Sequence, residues 1–437
     1  MPKIKVVDSI MGSGKTTLIK SIIEKEYNDN TIYPKNKYIF ITPQLRDIET
    51  SLTLDDEEDN EILDGFIHDV KIANFKQPLN RGNGKLDSLH KLLINENNIC
   101  CTHALFKMFT YETMELIKLN DYIVIIDEVV DLTEQLDIYL SDYENLIETN
   151  TISVNDATKE ITWLDSEYNG AFNHLKKMCE NDLVIESSTK ESKTSTGKGV
   201  QLLVWNFNPS IMKELKEVYI LTYLFEGSYM YYYLQAHNID YTKFSIQDGE
   251  LILYSDKKPY DMSHIRSLIN LYDGKLNDIG TNRNNTALSV SWFKNNKALV
   301  EQLKKNMINY KKQIIKAESN DIIWTTFKEF SNKLKGSGLS LPNRKNNGNF
   351  ISCNEKGTNL YKDKTTVLYC CNRYFHPDDY RYFNNLGVTV NTDIWALSDM
   401  IQFIWRSAIR DSKKINLYIP SYRMRELLLR WLNGKYE

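Results

Sequence analysis

The sequence predicts an α/β protein with two parallel sheets, and three observations support this fold class. Short apolar segments typical of strands alternate with segments of helical periodicity in both halves of the chain. A glycine-rich loop, Gly12-Ser13-Gly14-Lys15-Thr16, lies between the first predicted strand and the first predicted helix. The 437 residues exceed what one hydrophobic core usually holds, which favours two or three domains.

In the first half, strand and helix patterns follow each other closely. The predicted strands span 5–8, 38–42, 98–102, 122–126 and 217–222, and predicted helices span 16–26 and begin near 103. The segment 122–126 is apolar throughout, as expected for a parallel strand that is covered on both faces. Between about 133 and 200 the pattern weakens. We interpret this region as an insertion whose polar stretch at 186–199 is a mobile loop.

The second half repeats the α/β pattern. Predicted strands span 322–324, 349–353, 366–369 and 415–419, and long helices are predicted near 295–317 and 398–410. At the junction between the halves, the run Tyr229-Met-Tyr-Tyr-Tyr233 has the composition of aromatic segments that stack on nucleic-acid bases. We favour a buried, tyrosine-rich helix or strand as the explanation of this run.

Charge and cysteine content narrow the class of protein. With a net charge of −4 the chain has no overall basic field, yet residues 328–364 carry eight Lys or Arg against three Asp or Glu. The basic, Gly- and Asn-rich loop at 335–349, with Arg344 and Lys345, is therefore either a nucleic-acid contact or a solvated loop. The six cysteines show no CxxC spacing, so we expect reduced thiols and no zinc site. No apolar run is long enough for a membrane helix, and we expect a cytoplasmic protein.

The glycine-rich loop predicts a phosphate-binding site. Gly12 and Gly14 allow the backbone to turn so that N–H groups point at phosphate oxygens, and the following helix adds its positive end. Lys15 can reach the β- and γ-phosphates, and the Thr16 hydroxyl can bind Mg²⁺. In the Walker A pattern a glycine stands where this chain has Ser9. The predicted nucleotide-binding residues here are Ser9, Gly12, Ser13, Gly14, Lys15, Thr16 and Thr17, with Thr16 and Asp127 as the metal-binding residues.

An acidic pair, Asp127-Glu128, stands at the carboxyl end of the predicted strand 122–126. In this place Asp127 can hold the Mg²⁺ shell, and Glu128 can orient and deprotonate an attacking water. Adjacent carboxylates at a strand end can also serve only as a helix cap. Because a phosphate-binding loop precedes the pair, we favour the catalytic role. A glutamate in this position favours hydrolysis over small-molecule phosphorylation, since hydrolysis requires a positioned water.

Two arginines near the carboxyl end, Arg406 and Arg410, are four residues apart on a predicted helix and therefore share one face. In isolation, this spacing is typical of a surface that forms salt bridges. A predicted strand at 415–419 follows, as it would in a second sheet, so an arginine of the second half can reach a γ-phosphate held by the first. Such an arginine finger neutralises charge in the transition state and makes hydrolysis depend on domain closure.

Together these segments resemble the motifs of the superfamily 2 helicases, the DEAD/DEAH-like group. In its compactness the chain is similar to the small members that bacteriophages encode. The matching segments, from motif I to motif VI, are 9–16 (SIMGSGKT), 39–43 (IFITP), 101–103 (CTH), 127–130 (DEVV), 221–224 (LTYL), 323–327 (IWTTF), 352–359 (SCNEKGTN) and 402–410 (QFIWRSAIR). Their order and spacing cover nearly the whole chain.

The resemblance implies two RecA-like parallel-sheet domains in tandem, at 1–230 and 231–437, with the insertion in the first. It implies an ATP- and Mg²⁺-dependent helicase or translocase on single-stranded or forked nucleic acid, with DNA favoured and replication proteins as further partners. It adds Gln402 and Gly357 to the nucleotide-binding residues. The nucleic-acid contacts that it implies, together with the basic loop, are Thr42, Thr102, His103, Thr222, Thr326, Thr358, Arg344 and Lys345.

The chain departs from the family pattern at motifs II and VI. The second arginine of motif VI normally follows the first by three residues, but Ile409 stands there and Arg410 comes one later. Either Arg406 or Arg410 is then the finger, and we favour Arg410. Val129-Val130 replaces the usual end of motif II, so the chain is not a proper DEAD-box member.

Two other functions stay open at this point. The first is a viral DNA-packaging motor ATPase, which would carry a nuclease domain with clustered carboxylates in the second half. Asp378, Asp379 and Asp393 do not form a convincing cluster of this kind. The second is a nucleotide-dependent clamp that binds nucleic acid without unwinding it.

Overall fold

The structure, a computed structural model, describes residues 3–33, 35–43, 66–80, 84–190, 199–255, 262–336, 338–339, 349–353 and 360–435. The strands are β1 (Ile4–Asp8), β2 (Tyr38–Thr42), β3 (Ile99–Thr102), β4 (Ile123–Asp127), β5 (Thr133–Tyr139), β6 (Ile152–Val154), β7 (Ile161–Trp163), β8 (Leu183–Lys190), β9 (Val200–Asn206), β10 (Glu217–Thr222), β11 (Tyr241–Gln247), β12 (Glu250–Leu253), β13 (Ile269–Leu271), β14 (Ile322–Thr325), β15 (Thr366–Tyr369) and β16 (Ile415–Tyr418).

The α-helices are α1 (Lys15–Asn28), α2 (Phe66–Asp69), α3 (Lys85–Ile94), α4 (His103–Phe106), α5 (Tyr111–Leu119), α6 (Leu140–Glu148), α7 (Asn173–Asn181), α8 (Pro209–Glu214), α9 (Tyr229–Ala236), α10 (Met262–Leu268), α11 (Val290–Asn295), α12 (Lys297–Asn309), α13 (Ser331–Leu334), α14 (Pro377–Asn385), α15 (Thr392–Ile404) and α16 (Tyr422–Leu432). Within the described residues, no helix combines the length and apolarity that a bilayer crossing requires.

The first half is organised around a seven-stranded sheet with the order β12-β11-β1-β10-β4-β2-β3. β12 runs antiparallel to β11, and the other neighbouring pairs are parallel. β10 lies between β1, which leads into the glycine-rich loop, and β4, which ends at Asp127. The carboxyl ends of these three strands therefore meet at one edge, where open α/β sheets bind their ligands.

Both faces of this sheet are covered by helices. Val6 packs in a cluster with residues of α3 and α5, whereas the next residue, Val7, packs with Ile19 and Ile23 of α1 on the opposite face. Because successive side chains of a strand point to opposite faces, a strand covered on both sides must be apolar at every position. This explains why β2 and β4, in the interior of the sheet, are apolar at almost every position.

The second half contains a four-stranded parallel sheet with the order β13-β16-β15-β14. The predicted α/β class with two parallel-strand sheets is therefore confirmed. The predicted strand at 349–353 is wrong, because this segment makes only an isolated bridge, between Phe350 and Trp324, rather than a strand. It contributes Ile351 and Cys353 to the core of the second half.

The insertion forms its own antiparallel sheet, β5-β9-β8, and the hairpin β6-β7. The prediction of a mobile loop at 186–199 is wrong in part, because residues 186–190 belong to β8 and pair with β9. β8 is an edge strand, and such a strand tolerates the polar side chains that make this stretch resemble a loop. Residues 191–198 lie outside the described part of the chain.

Of the two predicted long helices, one ends earlier than expected. The helix predicted at 398–410 begins earlier and ends at Ile404, because Ser407 has an extended backbone and its hydroxyl donates a 2.7 Å hydrogen bond to the Ile404 carbonyl. A short 3₁₀ turn, Ala408–Asp411, follows. The helix predicted near 295–317 is present as α12, which continues directly into a π-helical segment, Tyr310–Ile315.

The two halves meet through buried side chains. As predicted, the tyrosine-rich run is buried: it lies in α9, where Tyr232 packs in one cluster with Phe375 and Phe383 of the second half. Gly227 lies so close to α15 that an added Cβ would meet the carbonyl oxygen of Ile394 at 2.7 Å. No larger residue fits at this position without movement of the backbone. The division into domains at 230 stays a prediction, but the first sheet continues beyond it through β11 and β12.

Candidate active site

The glycine-rich loop connects β1 to α1 and is held in place by hydrogen bonds from neighbouring strands. Gly12 and Gly14 both have a φ of 82°, in the left-handed region that favours glycine. Ser9 is buried, its backbone N–H donates to the Thr222 carbonyl at 3.0 Å, and its hydroxyl accepts from the Ile246 N–H at 2.8 Å. The side chain of Ser9, a predicted nucleotide ligand, therefore connects β1 to β11 instead of lining the cleft.

Lys15 lies inside the loop. Its ammonium donates hydrogen bonds to the carbonyl oxygens of Ser9 and Ile10, the latter at 3.1 Å. Burial lowers the pKa of Lys15 from 10.5 to about 8, although the carboxylates of Asp8, Asp127 and Glu128 act in the opposite direction. The positive charge of Arg410, which lines the same cleft, lowers this pKa further.

The acidic pair stands directly beside the loop. The Thr16 hydroxyl donates to Oδ1 of Asp127 at 3.2 Å, and the His103 imidazole Nε2 donates to the Asp127 carbonyl at 2.9 Å. Glu128 has a φ of 62°, a left-handed conformation that is unusual for a non-glycine residue. Strain of this kind is often found at functional sites. The left-handed backbone follows the end of β4 and leaves Glu128 in the wall of the cleft.

A cleft of about 280 Å³ lies between the two halves, above the loop. Of the predicted nucleotide-binding and catalytic residues, it is lined by Gly12, Gly14, Lys15, Thr16, Thr17, Asp127, Glu128, Gln402 and Arg410. Arg410 is exposed, and its backbone also approaches the loop, because a Cβ added at Gly12 would meet the Arg410 carbonyl oxygen at 3.6 Å. The structure thus brings one motif VI arginine to the loop.

The other motif VI arginine, Arg406, lines a different cavity from Arg410. Arg406 is buried, its guanidinium carbon lies 5.4 Å from the Phe403 ring centroid, and it lines a larger cavity of about 470 Å³. The prediction that Arg406 and Arg410 share one helical face is wrong, because α15 ends before both of them. Gln402 and Thr222 line both the cleft and the larger cavity.

The predicted nucleic-acid contacts are dispersed. Thr222 lines both cavities, and the Thr102 hydroxyl caps α4 by accepting from the Leu105 N–H. Thr42 and Thr326 are buried, and the Thr326 hydroxyl donates to the Cys370 carbonyl at 3.1 Å. Their nucleic-acid role stays a prediction. Gly357, Thr358, Arg344 and Lys345 lie outside the described residues.

Two further elements of the site have weak signals in the sequence. Asp8 is buried at the end of β1, where its carboxylate accepts from the backbone N–H groups of Leu224 and Phe225 and pairs with Lys243 at 3.2 Å. In the sequence, the only indication of this role of Asp8 is an acidic residue at the end of an apolar strand. Tyr223 lines the cleft and also belongs to the core of the second half, which no local pattern indicates.

Ser13 lies at the turn of the loop, where its backbone N–H donates to the Ile10 carbonyl at 3.2 Å. Its hydroxyl is buried and has no hydrogen-bond partner in the part of the chain that the structure describes. A buried polar atom in this state requires a partner, and an anion in the loop would supply one. Thr16 and Asp127 provide two oxygen atoms 3.2 Å apart, a donor set that suits a divalent cation.

Comparison with known proteins gives one relative over the full length. The chain is 35% identical, over 452 aligned positions, to the SPbeta prophage-derived uncharacterized protein YonV of Bacillus subtilis (strain 168), and the match covers 100% of both chains. Residues 263–432 match the family model of the YonV C-terminal Rossmann-like domain, and residues 133–192 match that of the YonV middle domain. A solved structure, that of S. tokodaii Xpd4, is similar with a TM-score of 0.47 and 12% identity, over 98% of this chain and 94% of the other.

Proposed function

The chain belongs to the YonV family, and we propose that it is an ATP- and Mg²⁺-dependent nucleic-acid helicase or translocase, with DNA as the favoured substrate. The observation that supports this proposal most directly is the position of Arg410. It comes from the second half and lines the same cleft as Lys15 and Asp127 of the first half. A site divided in this way makes hydrolysis depend on how the halves sit against each other.

The residues of the cleft fit the ligands of this proposal. The Ser13 hydroxyl and backbone N–H groups of the loop would donate hydrogen bonds to a phosphate, and Lys15 would exchange its two carbonyl partners for phosphate oxygens. Thr16 and Asp127 would hold Mg²⁺. A bound Mg²⁺ neutralises charge that develops on the phosphate oxygens.

Each catalytic residue would have a defined task. Glu128, in the wall of the cleft, would orient the attacking water and accept its proton. Arg410 would place its guanidinium against the charge of the transition state. The exposure of Arg410 supports this role, because an exposed side chain can move towards a ligand without breaking a core contact.

Thr222 and Gln402 offer a route by which nucleic acid would influence hydrolysis. Both residues line the cleft and also the larger cavity. A nucleic-acid strand that binds in the larger cavity would therefore contact residues that also line the nucleotide cleft. Gln402 belongs to α15, and its Nε2 donates to the hydroxyl of Ser398, one turn earlier on the same helix, at 3.4 Å. A place in phage-type replication or recombination is the finer part of the proposal; the name of the relative says only that it is prophage-derived.

A nucleotide-dependent clamp without unwinding activity is the second candidate, and the buried contact between the halves favours it. A motor must separate its domains in each cycle, but here Tyr232 packs against Phe383 and the Trp431 indole donates to the Tyr223 hydroxyl at 2.7 Å. Separation of the halves would expose these aromatic side chains to water. A clamp would need only a small adjustment around the nucleotide.

The DNA-packaging alternative has less support, because its carboxylates serve structural contacts. The Asp379 carboxylate accepts hydrogen bonds from Gln135 and Tyr229, both at 2.6 Å. Asp378 pairs with Arg381, and Asp393 pairs with Arg423. Carboxylates that are committed in this way do not form a shared metal site.

ATP hydrolysis by the purified chain, measured with and without single-stranded DNA and combined with a strand-displacement assay, tests these candidates. The proposal expects hydrolysis that DNA stimulates several-fold and displacement of an annealed strand. Stimulation without displacement would support the clamp. Lys15→Ala is the matched inactive control, and hydrolysis that survives this substitution would show that the activity does not arise in the cleft.

A further inference from the structure

A second reactive feature lies in the wall of the larger cavity, outside the nucleotide cleft. Cys353 lines this cavity, and Nη1 of Arg373 donates to its sulfur at 3.0 Å. The thiol of Cys371, which follows β15, donates a second hydrogen bond to the same sulfur. Cys353 and Cys371, eighteen positions apart in the chain, also belong to one buried hydrophobic cluster beside this guanidinium.

The two sulfurs have opposite protonation preferences. The hydrogen bond from Cys371 and the charge of Arg373 lower the pKa of Cys353, against the effects of burial and of Asp399. Burial and the neighbouring Cys353 raise the pKa of Cys371 well above its ordinary value. Tyr369, which is fully buried, also faces the pair. A negative charge on the pair is therefore favoured at Cys353 over Cys371.

Cys353 is also the more accessible of the two cysteines. Cys353 keeps 5% of its surface exposed at the cavity, whereas Cys371 is fully buried behind it. Cys370, the chain neighbour of Cys371, points to the other face of the sheet and belongs to a different hydrophobic cluster. A small electrophile that enters the cavity would meet Cys353 first and would find Cys371 next to it.

We propose that Cys353 and Cys371 form a peroxide-reactive thiol pair in which Cys353 is oxidised first and Cys371 closes a disulfide. The Cys353 thiolate attacks one oxygen of hydrogen peroxide, the O–O bond breaks, and hydroxide leaves, so the sulfur becomes a sulfenic acid. The Cys371 sulfur then attacks the Cys353 sulfur, and the sulfenic hydroxyl leaves with the Cys371 proton as water. One peroxide is reduced, two thiols are oxidised, and the first hydroxide takes a proton from solvent.

Oxidation would change the charge around Arg373. In the reduced pair, this guanidinium has the sulfur of Cys353 on one side and the Asp399 carboxylate on the other, with Nε at 3.2 Å from Oδ2. A disulfide removes the negative charge of the sulfur and leaves Asp399 as the anionic partner. This inference does not depend on the proposed function, because the thiol chemistry is observable without any nucleotide.

The disulfide is tested on the full-length protein, treated with hydrogen peroxide under native conditions and digested for peptide mass mapping. The expected product is a peptide pair linked through Cys353 and Cys371 that a reducing agent separates. Cys371→Ser should stop the reaction at the sulfenic acid, which dimedone then traps on Cys353. Cys370→Ser is the matched control, and it should form the disulfide as the unchanged protein does.

Two results would overturn the proposal. One is oxidised native protein, with its circular dichroism unchanged, in which Cys353 and Cys371 remain unlinked. The other is dimedone labelling of Cys371 in a Cys353→Ser variant at the rate seen for Cys353 in the Cys371→Ser variant, since the proposed order requires Cys353 to react first.

The rate of alkylation by iodoacetamide gives an independent measurement that does not require a disulfide. Cys353 should react on the order of tenfold faster than Cys179, even though Cys179 is the more exposed thiol, because burial raises the pKa of Cys179 to about 12. Arg373→Gln should slow the alkylation of Cys353, and Arg373→Lys should restore part of the rate. Equal rates for both cysteines in the native protein would contradict the proposal, and equal rates are expected in urea.

Discussion

The two cavities between the halves share Val129, Thr222 and Gln402 but differ in their chemistry. The smaller one has the glycine-rich loop, a desolvated lysine and an exposed arginine, Arg410, so its positive groups have room for an anion. In the larger one the arginines are already held, Arg373 by Asp399 and Arg406 in the core beside Phe403. The difference indicates that a charged residue near a ligand site acts on the ligand only if its neighbours leave it available.

The largest effect should come from the arginine of the smaller cavity. Arg410→Ala should slow ATP turnover about 10³-fold, because an arginine finger neutralises charge in the transition state, while nucleotide binding persists. Turnover and the affinity for a fluorescent ATP analogue are measured in parallel. Lys413→Ala, an exposed cation of the same segment, is the control and should leave turnover unchanged. A greater loss in Arg406→Ala than in Arg410→Ala would reverse the assignment of the two cavities.

The next effect concerns Glu128. Glu128→Gln keeps the size of the side chain and removes the base, so turnover should fall about 10²-fold while the affinity for ATP is kept. The same two assays measure it. A variant that loses affinity and turnover together would indicate that Glu128 maintains the shape of the cleft instead of acting as a base. The left-handed backbone of Glu128 is compatible with such a structural role.

A smaller, pH-dependent effect should report on Lys15. Because burial lowers its pKa to about 8, the nucleotide-free protein loses this charge as the pH rises through 8, and ATP affinity should fall by up to about tenfold per pH unit above it. Calorimetry in buffers of different ionisation enthalpy should detect proton uptake on binding in this range. Lys15→Met should abolish that uptake.

The lowered pKa of Lys15 also affects how the free energy of unfolding of the nucleotide-free protein depends on pH. Between pH 8 and 10.5 the unfolded chain holds more protons at Lys15 than the folded chain does. The free energy of unfolding should therefore rise with pH across this window through this residue, and the cost of its buried charge is fully present below pH 8. Nucleotide-free Lys15→Met should lack this rise in urea unfolding.

The smallest effect should come from the wall of the larger cavity. Tyr229→Phe removes the hydroxyl that donates to Asp379 at 2.6 Å across the halves, and it should lower the free energy of unfolding by about 1 kcal/mol. Urea denaturation measures this change, with Tyr231→Phe on the same helix as the control. An equal decrease in the free energy of unfolding in both variants would show that the hydrogen bond between Tyr229 and Asp379 does not contribute to stability.

The sequence predicted the parts of the site that depend on contiguous residues. The glycine-rich loop is recognisable because Gly12 and Gly14 are required by a left-handed backbone, and the acidic pair because an apolar strand precedes it. These signals are local, and the structure places the corresponding residues in one cleft.

The parts that depend on packing were not predictable in this way. Helical periodicity continues past Ile404, and only the hydrogen bond of Ser407 and the burial of Arg406 show that the helix ends there. The polar segment 186–190 has no strand pattern, because β8 receives its support from β9 in another part of the chain. Ser9 looked like a replaced glycine, whereas its partner, Ile246, is more than two hundred residues away.

The position of β11 and β12 determines where the chain can be cut. A fragment that stops at residue 230 would leave the backbone of β1 unpaired on one side, and it would also remove Lys243 from Asp8. Exposed strand edges of this kind recruit other chains, so such a fragment should precipitate. An amino-terminal piece intended for crystallisation or ligand titration should run at least through Leu253, the last residue of the sheet.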